Sequence, residues 1–91
     1  MPRKPSPPAP EYMALTAYQL AQVLRGYRKA LGLTQREAAA RGGLLQKTVW
    51  TLETSPGKPT IESLYRLLGA LEVELVLRAK PGAHKPAAKN R

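Results

Sequence analysis

The chain has 91 residues, 43% of them hydrophobic and 23% charged, with no cysteine, one histidine and a formal net charge of +9. That length holds one small domain whose lone core is marginal, a size at which dimerisation commonly helps. The missing cysteine excludes a disulfide framework and a cysteine-based metal site, and no apolar run approaches the roughly 20 residues of a membrane span.

Residues 1–11 contain five prolines (Pro2, Pro5, Pro7, Pro8 and Pro10) and almost nothing that packs, which predicts a disordered tail. They also lack a signal-peptide core, so the expected location is cytoplasmic, away from any membrane. The first helix is signalled by Thr16-Ala-Tyr-Gln19, a capping box in which Thr16 caps and Gln19 reaches back. Leu20, Val23, Leu24, Tyr27 and Leu31 then repeat at helical spacing as one apolar stripe. Gly26 interrupts that stretch, which suggests close approach by a neighbour, and Gly32 ends it.

A second capping box, Thr34-Gln-Arg-Glu37, opens the next helix, and Gly42-Gly43 closes it with the positive φ that a sharp turn requires. The third helix is expected from about Leu45 to Glu53, with Val49 and Leu52 facing inward. Leu44-Leu45 stands where a capping hydroxyl is common, so a cap worth roughly 1 kcal/mol is absent. Ser55-Pro-Gly-Lys-Pro59 reads as a loop. Thr60 caps a fourth helix in which Leu64, Leu67, Leu68 and Leu71 recur at core spacing.

The period then changes. Val73, Leu75 and Leu77 alternate with Glu74, Val76 and Arg78, which is strand spacing; the competing reading simply continues the fourth helix to Leu77. A lone strand on a helical domain is an unpaired edge, and pairing with its own copy across a two-fold axis is the economical remedy. From Pro81 the chain is again Pro, Gly, Ala and charge, so 81–91 is expected to be a disordered basic tail, leaving 12–80 as the folded unit. Between residues 12 and 77 eight basic side chains face five acidic ones, whereas Arg78, Lys80, Lys85, Lys89 and Arg91 carry five positive charges and no negative one. Such a tail favours polyanions through counterion release, or serves solubility alone.

Two short helices joined by a glycine turn in a basic chain are how a helix-turn-helix DNA reader is built. The run Leu31-Gly-Leu-Thr-Gln-Arg-Glu37, followed by Gln46-Lys-Thr-Val-Trp-Thr-Leu-Glu53, resembles the lambda-repressor-like family of Xre or Cro/C1 type. Within it, residues 20–80 look most like HipB-type antitoxins, which repress their own operon and bind a serine/threonine kinase toxin. The resemblance implies an all-α, lambda-repressor-like four-helix domain with a C-terminal strand (about 72–79) paired across a homodimer. It also implies a pseudo-palindromic double-stranded DNA operator and a HipA-like kinase partner, with no cofactor and no metal.

In that family one glutamine opens the second helix and another opens the third, positions that Gln35 and Gln46 match. Gln35, at a helix N-terminus, would anchor a phosphate. Gln46 would reach base edges, where its amide can bond adenine N6 and N7 together. Lys47 and Thr51 lie beside Gln46, and Arg36 is a further phosphate candidate. Arg28 and Glu53 match a family ion pair that ties the first helix to the third. Trp50 departs from the usual small serine and stacks on sugar, wedges at a groove wall or packs on a protein. Leu45 projects an apolar side chain outward, while Ala38 and Gly42 thin the packing of the second helix.

The expected function is a DNA-binding repressor that doubles as antitoxin to a HipA-like kinase. Two alternatives carry the same residues: a toxin-independent Xre-type repressor, and a protein-interaction module whose DNA face, with Trp50 and Leu45, has been reused. An enzyme is rejected, since the carboxylates are dispersed, His84 sits alone in the tail, and no nucleophile–base pair or phosphate loop is visible.

Overall fold

Threonine hydroxyls open three of the four helices. The structure, a computed structural model, describes residues 11–83, which form α1 (Ala17–Ala30), α2 (Gln35–Gly42), α3 (Gln46–Thr54) and α4 (Ile61–Ala70). The tail segments 1–10 and 84–91, with His84, lie outside the described residues. Thr16 accepts from the Gln19 amide at 3.0 Å, Thr34 from the Glu37 amide at 3.0 Å, and Thr60 from the Ser63 amide at 3.1 Å. At α2 the box is reciprocal, because Glu37 accepts from the Thr34 amide at 2.9 Å. At α1 the returning side chain goes one residue further than expected: Gln19 accepts from the Leu15 amide at 2.7 Å. Leu45 opens α3 with no side-chain cap, as its chemistry requires.

The other ends of α1, α2 and α4 share one device. The last turn closes with paired bonds spanning five and three residues: Leu33 to the Arg28 carbonyl with Gly32 to that of Lys29, then Leu44 to Ala39 with Gly43 to Ala40. The third pair joins Val73 to Leu68 and Glu72 to Gly69. This is the Schellman arrangement, which needs one left-handed residue. Gly32 (φ +73°) and Gly43 (φ +67°) supply it without strain, whereas at α4 the residue is Glu72 (φ +60°). The residue after each left-handed position, Leu33, Leu44 or Val73, packs back on the core.

That core is small and aliphatic. Leu24, Val49 and Leu67 are fully buried, with Ala38, Ala39, Leu52, Leu68, Ala70 and Leu71 around them. The alanines of α2 let that helix approach both α3 and α4, and the closest approach is at Gly42. A Cβ there would stand 2.9 Å from the Arg66 carbonyl oxygen.

Three expectations and one competing reading need correction. Gly26 has nothing within 4 Å of where a Cβ would sit, and it lines a shallow groove with Tyr12, Gln22, Val23, Tyr27 and Ala30. The glycine required by a neighbour is Gly42 instead. Leu31 leaves the inward stripe and stands exposed, because the buried face of α1 is rotated to Ala21, Leu24 and Arg28. Helix α4 does not continue to Leu77; the Glu72 cap stops it at Ala70. Val73 is half-buried against its own domain rather than presented with Leu75 and Leu77, and 74–83 are exposed. No strand occurs among the described residues, and no helix there is long and apolar enough to cross a membrane.

Candidate nucleic-acid interface

The α2–turn–α3 unit gains its shape from backbone requirements. Gly43 in the left-handed region reverses the chain after α2, and Leu44 plugs the turn into the core. Helix α3 then buries Val49 and Leu52. At 100° per residue that orientation turns Gln46, Lys47, Trp50, Thr51 and Thr54 to the opposite side, a wedge of roughly 140°. Gln46, Lys47 and Trp50 are exposed, Trp50 by 50% and the neighbouring Leu45 by 75%. Thr48 is half-buried on the flank.

Behind this wedge lies a charged clamp. Arg28 Nε donates to Glu53 Oε2 at 2.6 Å and its Nη2 to Oε1 at 3.0 Å, with side-chain exposures of 10% and 2%. The Arg28 Nη1 also donates to the Leu33 carbonyl at 2.8 Å, so one guanidinium joins α1, the α1–α2 turn and α3. The hydrogen bond to Glu53 holds the arginine above its ordinary pKa against the opposing cost of burial. Gln35 is the third member: its Nε2 donates to Glu53 Oε1 at 3.1 Å. The side chain expected to reach a phosphate is therefore half-buried and turned toward the clamp, locking the start of α2 to the end of α3.

What faces outward at the start of α2 is different. The amides of Gln35 and Arg36 have no acceptor among the described residues, since the capping box satisfies only Thr34 and Glu37. Arg36 is exposed beside them. Two backbone donors, a guanidinium and the positive end of the helix dipole suit an anion. The Glu37 carboxylate opposes it, held below its usual pKa by bonds from the Thr34 amide and hydroxyl. Thr51 is half-buried and spends its hydroxyl proton on the Lys47 carbonyl at 2.8 Å, as Thr54 does on that of Trp50 at 2.8 Å. Thr51 thus offers a methyl group and an acceptor to whatever approaches, not a donor.

Sequence reasoning missed two features here. Gln35 as a clamp member carries no separate signal, because a helix-opening glutamine reads the same in either role. Arg66 of α4 reaches the turn, its Nη1 lying 3.3 Å from where a Cβ on Gly43 would be. It also pairs with Glu62 at 3.2 Å, the i,i+4 relation on one helix face.

Comparison with known proteins agrees with this geometry. The helix-turn-helix family model matches residues 24–77. The uncharacterized HTH-type transcriptional regulator y4dL of Sinorhizobium fredii is 37% identical over 68 residues, 75% of this chain, and the chain spans only 35% of that relative. Antitoxin HipB of Escherichia coli K12 is 32% identical over 59 residues, covering 65% of this chain and 67% of the antitoxin. Among solved structures, a chain in a HipA–HipB–O2–O3 complex superposes with a TM-score of 0.72 at 28% identity, over 76% of this chain and 97% of that one.

Proposed function

The chain belongs to the lambda-repressor-like helix-turn-helix family of transcriptional regulators, and from that premise we propose that it is a sequence-specific repressor and a HipB-like antitoxin. The observation that carries DNA reading is the outward wedge of α3, held from behind by the Arg28–Glu53–Gln35 clamp. In this reading Gln46 bonds a base edge, while Lys47 reads guanine or neutralises phosphate. The free amides of Gln35 and Arg36, with the Arg36 guanidinium, hold the backbone phosphate that fixes register. Leu45 and Trp50 give apolar contact to a thymine methyl or the sugar wall, and Thr51 adds a methyl at the rim.

Two such heads need a two-fold axis. Residues 72–79 of two copies pair as strands, covering Leu75 (42% exposed) and Leu77 (91% exposed), while Val73 anchors each strand to its own core. The antitoxin part rests on the similarity to HipB and would make a HipA-like kinase the protein partner.

A footprint on DNA upstream of the protein's own gene tests the reading, with two protected half-sites about one helical turn apart expected. Gln46→Ala then costs about 1–3 kcal/mol at one base position and little elsewhere. Absence of specific protection sinks the repressor assignment. It would favour the second reading that the exposed pair Leu45 and Trp50 supports, a protein-docking face whose binding resists salt. Co-purification with the product of an adjacent kinase gene tests the antitoxin part separately.

A further inference from the structure

We propose that the segments 73–79 of two copies pair antiparallel with Val76 on the two-fold axis, so that Glu74 of each copy faces the partner's Arg78 and Leu75 faces the partner's Leu77. The proposal rests on the strand dimer of the functional reading above and gives that dimer one register.

Its own chain leaves this segment unpaired. The backbone amides of residues 74–80 donate to no acceptor among the described residues. Every φ from 73 to 81 is negative, as a strand requires. Glu72, left-handed and 4.0 Å from Arg41, closes α4 and stands outside the pairing. Beyond it Leu75 is 42%, Val76 74% and Leu77 91% exposed. Neither Glu74 nor Arg78 enters an ion pair among the described residues. Val73 packs on its own core, so in a strand Leu75 and Leu77 share its face while Glu74, Val76 and Arg78 take the other.

The side chains then select one register. A two-fold axis normal to an antiparallel pair sets one residue opposite itself, and its neighbours pair outward from there. With Leu75 on the axis, Glu74 faces valine and Leu77 faces Val73, which its own core already holds. With Leu77 on the axis, Arg78 faces valine and Leu75 faces Ala79. An axis at Glu74 or Arg78 sets like charges together. Only Val76 on the axis joins acid to base and leucine to leucine, each pair occurring twice. Negative charge two residues before the centre and positive charge two residues after it is complementary to itself under this rotation. That antisymmetry selects a second copy of this chain, since a foreign strand would have no need of it.

Cysteine placement tests the register in the full chain, which has no cysteine of its own. Under mild oxidation Val76→Cys should form a disulfide-linked dimer about tenfold faster than Leu75→Cys or Leu77→Cys alone, whose positions meet their own copies only diagonally, about 7–8 Å apart. Mixing Leu75→Cys with Leu77→Cys should restore the fast reaction. Sedimentation equilibrium checks the charges. Glu74→Arg and Arg78→Glu each set like charges face to face twice and should raise the dimer dissociation constant about tenfold. An equimolar mixture of those two variants regains both ion pairs and should dimerise within about threefold of the parent. Fast linking through Leu75→Cys or Leu77→Cys alone, in a protein that still dimerises, overturns the register and leaves the strand dimer standing. So does a mixture of charge variants no tighter than either one. A parent chain that sediments as a monomer overturns the dimer together with its register.

Discussion

Replacing Glu53 by glutamine keeps the shape of the clamp and removes its charge. The carboxylate is 2% exposed and accepts from Arg28 Nε at 2.6 Å, Arg28 Nη2 at 3.0 Å and Gln35 Nε2 at 3.1 Å. In Glu53→Gln one oxygen still accepts, but the new amide group turns donors toward donors. The Arg28 side chain, 10% exposed, then has only the Leu33 carbonyl at 2.8 Å for its charge. Removing one member of a buried pair costs about 3–5 kcal/mol, and the surviving Leu33 bond argues for the lower end, about 3 kcal/mol. That is a large fraction of the roughly 4–11 kcal/mol expected for a domain of this size. Urea unfolding at fixed protein concentration, followed by helical circular dichroism, reads the change directly. The double variant Arg28→Met with Glu53→Leu removes both charges and is expected within about 1 kcal/mol of the parent, since no charge is then left buried without its partner. A cost below about 1 kcal/mol for Glu53→Gln, the value of a surface pair, would refute a buried clamp. So would a double variant no more stable than the single one.

Other consequences are open to equally direct measurement. Gly42→Ala drives a Cβ to 2.9 Å from a backbone oxygen of α4 and should cost about 1–3 kcal/mol in urea melts, whereas Gly43→Ala meets only the flexible end of Arg66 and should cost about 1–2 kcal/mol from its positive φ. Glu72→Gly relieves the left-handed cap of α4 and should raise stability by about 1 kcal/mol, the exposed contact with Arg41 contributing little. The Glu37 carboxylate has a folded pKa below its ordinary 4.5, so its contribution is present above that value and is lost as pH falls through the folded one. Thermal melts below neutral pH should therefore show Glu37→Gln less sensitive to acid than the parent; parallel curves would dismiss the capping box as a source of that sensitivity. Leu75→Lys with Leu77→Lys should shift sedimentation toward monomer while leaving the helical spectrum intact, and an unaltered dimer would remove these side chains from the interface.

Much of this architecture is legible in the sequence because short polar signals set it locally. Thr16, Thr34 and Thr60 mark helix starts through a hydroxyl-to-amide bond that depends only on neighbours three residues away. Gly32 and Gly43 mark ends for an equally local reason. The glycines inside helices show where that reading stops. Gly26 and Gly42 look alike in sequence, and only the packing of α4 against α2 decides which one a neighbour requires. The change of period after Leu71 marks where α4 ends, but its cap hides for the opposite reason: Glu72 takes a conformation normally left to glycine, paid for by the two cap bonds and the seating of Val73. At the candidate site the Arg28–Glu53 pair follows from family resemblance. The turn of Gln35 toward it needed three-dimensional placement, because one amide serves a carboxylate or a phosphate equally well.

The Schellman ends of α1, α2 and α4 also decide where this chain tolerates a change of length. In each, the next residue is already seated in the core, so an inserted residue there would pull Leu33, Leu44 or Val73 from its socket. Helix α3 ends otherwise: Ser55 has φ −139°, its amide bonds to the Thr51 carbonyl alone, and exposed Gly57 and Lys58 follow in a turn that the Lys58 amide closes on the Ser55 carbonyl at 3.1 Å. The passage from α3 to α4 is thus the one connection between helices among the described residues whose length is not locked at its first step. A tag, a fluorophore-bearing loop or a few extra residues at Gly57 and Lys58 would leave the spacing of α2 and α3 as it is, and relatives that differ in length inside the domain should differ there.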